Sequence, residues 1–205
     1  MDTGKKKITT NFYSDFLATR TTCISRILSE KEKVKIDNVT IEIEGPEYGW
    51  LDILFKVDGK KPILIEASDV FPPFPTLRSW LEGMMNFIAF PSGCCCIDCE
   101  AYQSTLSYDY LGSIKTDIID EPVSLIMIGN DIAEENRSGD YEPLIQLVVP
   151  IRQFVSNFYW TLKNHMINNR LVYRHNWEHP NGGDFDLRKL LRSFTSKEIE
   201  STMKY

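Results

Sequence analysis

The chain has 205 residues, 42% apolar and 25% charged, with 23 Lys and Arg against 29 Asp and Glu for a formal net charge of −6. That composition belongs to a globular chain long enough for a sizeable core, and it excludes disorder. No apolar run nears the ~20 residues that span a bilayer, and an acidic chain repels phosphate backbones, so neither a membrane span nor a nucleic-acid partner is expected.

The first element is a helix over 12–29, with Phe12, Phe16, Leu17, Ile24, Ile27 and Leu28 at apolar positions and threonines at 19, 21 and 22 weakening it. Val39 to Glu44 alternates strictly and reads as a strand, broken by Gly45-Pro46. Trp50–Val57 and Pro62–Ala67 are strand-like runs joined by Asp58-Gly59, a pair suited to the positive φ of a hairpin turn. Phe71-Pro72-Pro73-Phe74-Pro75 is a rigid lead-in to the next helix, and its prolines also suit a polyproline ligand. Leu77, Trp80, Leu81, Met84, Met85 and Ile88 follow helical spacing and predict an amphipathic helix over 76–89.

Residues 94–102 and 104–111 read as a strand pair, with Tyr108 and Tyr110 on one face of the second strand. Pro122–Ile128 and Leu144–Val149 are further strands, separated by a polar stretch over 130–141. A helix over 150–167 carries Phe154, Val155, Phe158 and Leu162 on one face, and His165 near that face is read as a packing residue. Leu187, Leu190, Leu191 and Phe194 predict a short helix, and Thr195 with Glu198 matches a capping box for a last turn. Strands come in adjacent pairs rather than alternating with helices. The expected fold is therefore α+β, a single domain over 1–205, with a mostly antiparallel sheet and helices packed on one face.

Four of the five cysteines, Cys94, Cys95, Cys96 and Cys99, lie within six residues. An odd total reads as reduced thiols, and the charged opening from Met1 to Lys7 leaves no expectation of a secretory signal. A cytoplasmic setting follows as the expectation. Cys96 and Cys99 form one C-x-x-C with no second pair for a zinc ribbon. On a strand Cys95, Ile97, Cys99 and Ala101 point one way, so Cys96 and Cys99 face apart and cannot share a ligand.

His175-Asn176-Trp177-Glu178-His179 matches the H-x-x-E-H pattern, which would place His175 and His179 on zinc with Glu178 as base. Pro180-Asn181-Gly182-Gly183 follows at once, so the stretch is read instead as a surface loop with Trp177 packed on the body. Glu66-Ala67-Ser68, with Asp52 upstream, faintly resembles the acidic strand motif of restriction-type nucleases, but Ser68 stands where that site needs a lysine. Asp52 and Glu66 are read as solvent-facing strand residues or partners of nearby lysines. No nucleophile elbow and no phosphate-binding glycine loop exists. No catalytic residue, no cofactor and no metal is therefore expected, and purified protein should hold no stoichiometric zinc.

Charge is unevenly spread. Residues 1–35 hold eight Lys/Arg against four Asp/Glu, residues 36–150 hold six against twenty, and residues 151–205 hold nine against five. The acidic middle either folds against the basic ends or stays open to a basic partner. The order strand, Asp-Gly hairpin, strand, proline turn and Leu77-Arg78-Ser79-Trp80-Leu81-Glu82 resembles small bacterial α+β proteins of uncharacterised families, over roughly residues 39–165. Some of these are similar to immunity partners of polymorphic toxins. The resemblance implies an intracellular protein that binds and neutralises another protein, and it carries over no catalytic residue. The leading expectation is a non-enzymatic, protein-binding domain, an inhibitor of a basic toxin. The alternatives are a metal-dependent hydrolase using His175, Glu178 and His179, or a structural subunit that self-associates through a sheet edge or aromatic patch. The oligomeric state stays open.

Overall fold

Alternating apolar residues fold the middle of the chain into two antiparallel sheets, and the helical stripes before, between and after them cover the apolar faces. The computed structural model describes residues 12–29, 35–100, 102–115, 120–131, 139–177 and 186–203. In chain order the elements are α1 (Phe12–Ser29), β1 (Val39–Glu47), β2 (Trp50–Val57), β3 (Ile63–Ser68), α2 (Phe74–Met85), β4 (Ser92–Asp98), β5 (Gln103–Lys115), β6 (Asp120–Asn130), β7 (Leu144–Pro150), α3 (Ile151–Asn168), α4 (Arg170–Asn176), α5 (Leu187–Phe194) and α6 (Lys197–Thr202). The first sheet has the order β1-β2-β3 and the second β4-β5-β6-β7. The class is α+β.

One buried cluster joins the two sheets through α2 and α3. Phe55 of β2 meets Phe158 of α3 edge-on, with ring centroids 5.4 Å apart, and Trp80 of α2 packs edge-on against Tyr108, Phe154 and Phe158. The second sheet is covered on both faces. Ile126 and Ile128 point into this cluster, while Val123, Leu125 and Met127 pack with Phe16 and Cys23 of α1. Burial on both sides explains why β6 reads as a nearly continuous apolar run.

Several boundaries differ from the sequence reading. β1 runs past Gly45-Pro46 to Glu47, because the register shift between Glu44 and Glu47 absorbs the break as a bulge. α2 starts at Phe74 and ends at Met85, since Asn86 leaves helical geometry and its carbonyl accepts from Ala89 and Phe90. Ile88, expected on the apolar stripe, is consequently 86% exposed. The cap of the last helix is Ser196 rather than Thr195. Thr195 already serves as the C-cap of α5, and the Ser196 hydroxyl accepts from the Ile199 amide at 3.2 Å. His175 and Asn176, expected in a surface loop, instead end α4, a helix over 170–176 whose Tyr173 is fully buried.

Tyr159 ties the C-terminal helices to α3. Its hydroxyl accepts from the Ser196 amide at 3.0 Å and donates to Glu200, which also pairs with Lys163. The proline segment is a helix lead-in, with Pro73 as N-cap and Pro75 in the first turn of α2.

Candidate functional site

The β1–β2 hairpin closes through Tyr48-Gly49, with φ of 51° and 86°, the two positive values a tight hairpin turn of this twist requires. Gly49 suits this position because L side chains rarely adopt a φ of +86°, and a Cβ would also crowd a carboxylate oxygen of Asp69 at 2.8 Å. The turn fixes the β1–β2 register, and the Asp58-Gly59 turn fixes that of β3. As a result Glu44, Asp52 and Glu66 stand directly opposite one another across the three strands. Leu51, Ile53, Ile63, Ile65 and Ala67 fill the core face, so the three carboxylates share the outer face.

Like charges in directly opposed strand positions repel. Asp52, in the middle of the row, bears most of the strain. Its partial burial, then the charges of Glu66, Glu44 and Glu47, push its carboxyl up from 3.8 to about 6. Among the described residues no cation offsets this. The ion pair on the same face, Lys56 with Glu42 at 2.5 Å, lies nearer the other end of the sheet. Of the two sequence readings of Asp52 and Glu66, outer-face strand residues or lysine partners, the first describes their place, and among the described residues neither pairs with a lysine. Glu66 instead accepts a hydrogen bond from the Tyr102 hydroxyl at 3.0 Å. Burial, Cys99 and Glu66 raise the pKa of that hydroxyl well above its ordinary range, which keeps it a donor. Ser68, where a nuclease would carry its lysine, is buried and donates to Glu100, a residue held at φ 60°.

The remaining sequence candidates are dispersed. Cys96 is exposed and Cys99 is buried on the opposite face of the strand, where burial raises its thiol pKa. His175 lies exposed at the end of α4, while Glu178 and His179 lie outside the described residues. Trp177 does pack on the body, its ring 5.4 Å from that of Phe74. His165 bonds the Tyr173 hydroxyl at 3.1 Å, and burial lowers its pKa, as suits a packing residue. Among the described residues no group of three His, Cys, Asp or Glu side chains is placed to hold a metal ion. Among them, too, no helix is long and apolar enough to cross a membrane.

A second feature was not anticipated. A cleft of about 720 Å³ lies between α2 and β4, lined by Thr76, Ser79, Trp80, Gly83, Asn86, Cys94 and others. The helical pattern of α2 marked its buried side, but the cleft itself needs the fold to bring α2 and β4 together. No family model matches the chain, nor does any curated protein or solved structure.

Proposed function

We propose that the chain is a non-enzymatic protein-binding domain of the immunity type, acting inside the cell, where its thiols stay reduced, and taking a basic partner on the outer face of the first sheet. The observation that supports this most is the in-register row Glu44–Asp52–Glu66, held without an offsetting cation among the described residues. Three carboxylates kept together cost stability, and a partner's lysine or arginine recovers it. The same cation draws the Asp52 carboxyl back down, so docking near pH 6 releases a proton.

The product of the adjacent reading frame is the partner to test, as a growth-arresting protein whose effect co-expression suppresses. The variant carrying Glu44→Gln, Asp52→Asn and Glu66→Gln should associate at least tenfold more slowly. Calorimetry at pH 6 in two buffers of different ionisation heat should register proton release with the native chain and less with the variant. Association unchanged in the triple variant overturns the reading.

A further inference from the structure

Four strand edges bound the two sheets, and three of them take hydrogen bonds from outside their sheet. The β7 edge is closed at Val148, whose carbonyl accepts from the Asp37 amide and whose amide donates to the Asp37 carboxylate, both at 2.8 Å. Lys60 adds a bond to the Gln146 carbonyl. The β3 edge is closed by Asn130 on the Leu64 carbonyl at 2.6 Å and by the Glu142 amide on Pro62. The β1 edge meets Asn157 at Val39 and Asn176 at Pro46. Natural folds cap edges in this way because a bare edge templates strand addition.

The β4 edge differs. The Tyr110 amide bonds the Pro91 carbonyl and the Cys99 amide bonds the Tyr102 carbonyl. With the unbroken register between them, these bonds fix the alternation along β4. Gly93, Cys95 and Ile97 bond to β5, and Ser92, Cys94 and Cys96 turn their amides and carbonyls outward. Among the described residues nothing caps them. The edge carries no lysine, no bulge and no proline within the strand.

The open edge forms one wall of the cleft, and the other wall is α2. Tyr108 of β5 reaches across Gly93 to Gly83: a Cβ on Gly93 would lie 2.7 Å from its ring, and one on Gly83 would lie 2.7 Å from its hydroxyl. Tyr108 is only 2% exposed. The buried indole N–H of Trp80 beside it has no hydrogen-bond partner among the described residues. Glu82 and Glu198 line the cleft, and among the described residues no lysine or arginine does, although Arg78, one turn back on α2, pairs with Glu82 at 3.8 Å. Phe90, half exposed, closes the end near Ser92.

We infer that the cleft between α2 and β4 is a peptide site that takes an extended, basic segment of another protein as an added strand on β4. The segment's backbone pairs with Ser92, Cys94 and Cys96. A lysine or arginine stem crosses Trp80 and Tyr108, and its cationic head lies among the Tyr108 hydroxyl, Glu82 and Glu198. Charge selects this occupant over a second copy of the chain, since edge-to-edge pairing of two copies would bring both sets of Glu82, Asp98 and Glu198 toward one shared edge. Strand addition beside a helix draws affinity from main-chain bonds and specificity from alternate side chains. The site lies on the second sheet and stands apart from the acidic face of the first.

The test is an array of fluorescein-labelled seven-residue peptides with Lys or Arg at alternate positions and Val or Thr between them. Anisotropy should show saturable binding in the micromolar range for a subset. Glutamate versions of those peptides should bind at least tenfold more weakly, as should versions N-methylated at alternate amides, which leave the protein untouched. Cys94→Pro removes one outward amide without deleting a β4–β5 bond and should weaken binding similarly, while Asp52→Asn should leave it unchanged. Backbone amide shifts should map to residues 76–86 and 92–96. Three results overturn the inference: no saturable binding across the array, binding indifferent to N-methylation but lost in Asp52→Asn, or a native dimer that Cys94→Pro converts to monomer.

Discussion

Arg20 of α1 grips Asp109 of β5 through two hydrogen bonds of 2.6 Å, Nε to Oδ2 and Nη2 to Oδ1. Both side chains are largely buried, and the pair joins the basic N-terminal segment to the acidic middle. Removing one partner of such a pair strands the other charge. Asp109→Ala should therefore lower stability by about 3 kcal/mol in denaturant unfolding. A loss near zero would mean that α1 is held by its apolar face alone.

Trp80 is 4% exposed and touches three aromatic rings. Trp80→Ala should cost ~3–5 kcal/mol, the usual range for emptying a large aromatic core site. The same unfolding experiment measures it, and a cost below ~1 kcal/mol would contradict the packing seen here.

Asp52 gives a pH signature. Its folded carboxyl titrates at about 6 against an ordinary 3.8, so the folded state holds the proton more tightly than the unfolded chain. The stabilising contribution of the protonated form is full below the unfolded value and is lost as pH rises through about 6. Asp52→Asn removes that dependence. The variant should match the native chain in stability at pH 3.5 and exceed it at pH 7.5, and unfolding curves at the two values decide the matter.

The thiols should divide by face. Cys94 and Cys96 are exposed, whereas Cys23, Cys95 and Cys99 are buried, and burial pushes the Cys95 thiol far above its ordinary range. Iodoacetamide at pH 8 should add two carbamidomethyl groups to the native chain within minutes and five after unfolding, read by intact mass. Rapid labelling of Cys95 or Cys99 would contradict the strand assignment.

Periodicity and punctuation revealed most elements, because each buried face repeats at 2.0 or 3.6 residues. Cys95, Ile97 and Cys99 face inward as their alternation indicated, and Asp58-Gly59 does make the turn, with Gly59 at φ 74°. α4 escaped notice because its one fully buried residue, Tyr173, gives no stripe to read. The site was half legible. Asp52 and Glu66 stood out as strand carboxylates, but Glu44 joins them only through register, and the bulge at Gly45-Pro46 hides that register from a count along the chain. Beyond the buried stripe of α2, the β4 cleft left no trace in sequence, since an open edge is defined by what the other strands and helices do not cover.

The acidic face makes a kinetic prediction. The potential around Glu44, Asp52 and Glu66 extends into solvent, and salt shortens its reach to ~8 Å at physiological ionic strength. A partner steered by that potential should lose on-rate steeply between 20 and 300 mM salt, while its off-rate, set by close contacts, changes less. The variant Glu44→Gln, Asp52→Asn, Glu66→Gln should start from a lower on-rate and show a shallower salt slope. Duplex DNA should not bind the native chain even at 20 mM salt, because phosphates meet carboxylates. If the slope is the same in both proteins, the steering charge lies elsewhere on the molecule. If DNA binds tightly, the basic segments outweigh the row, and the outer face of the first sheet is not the docking surface.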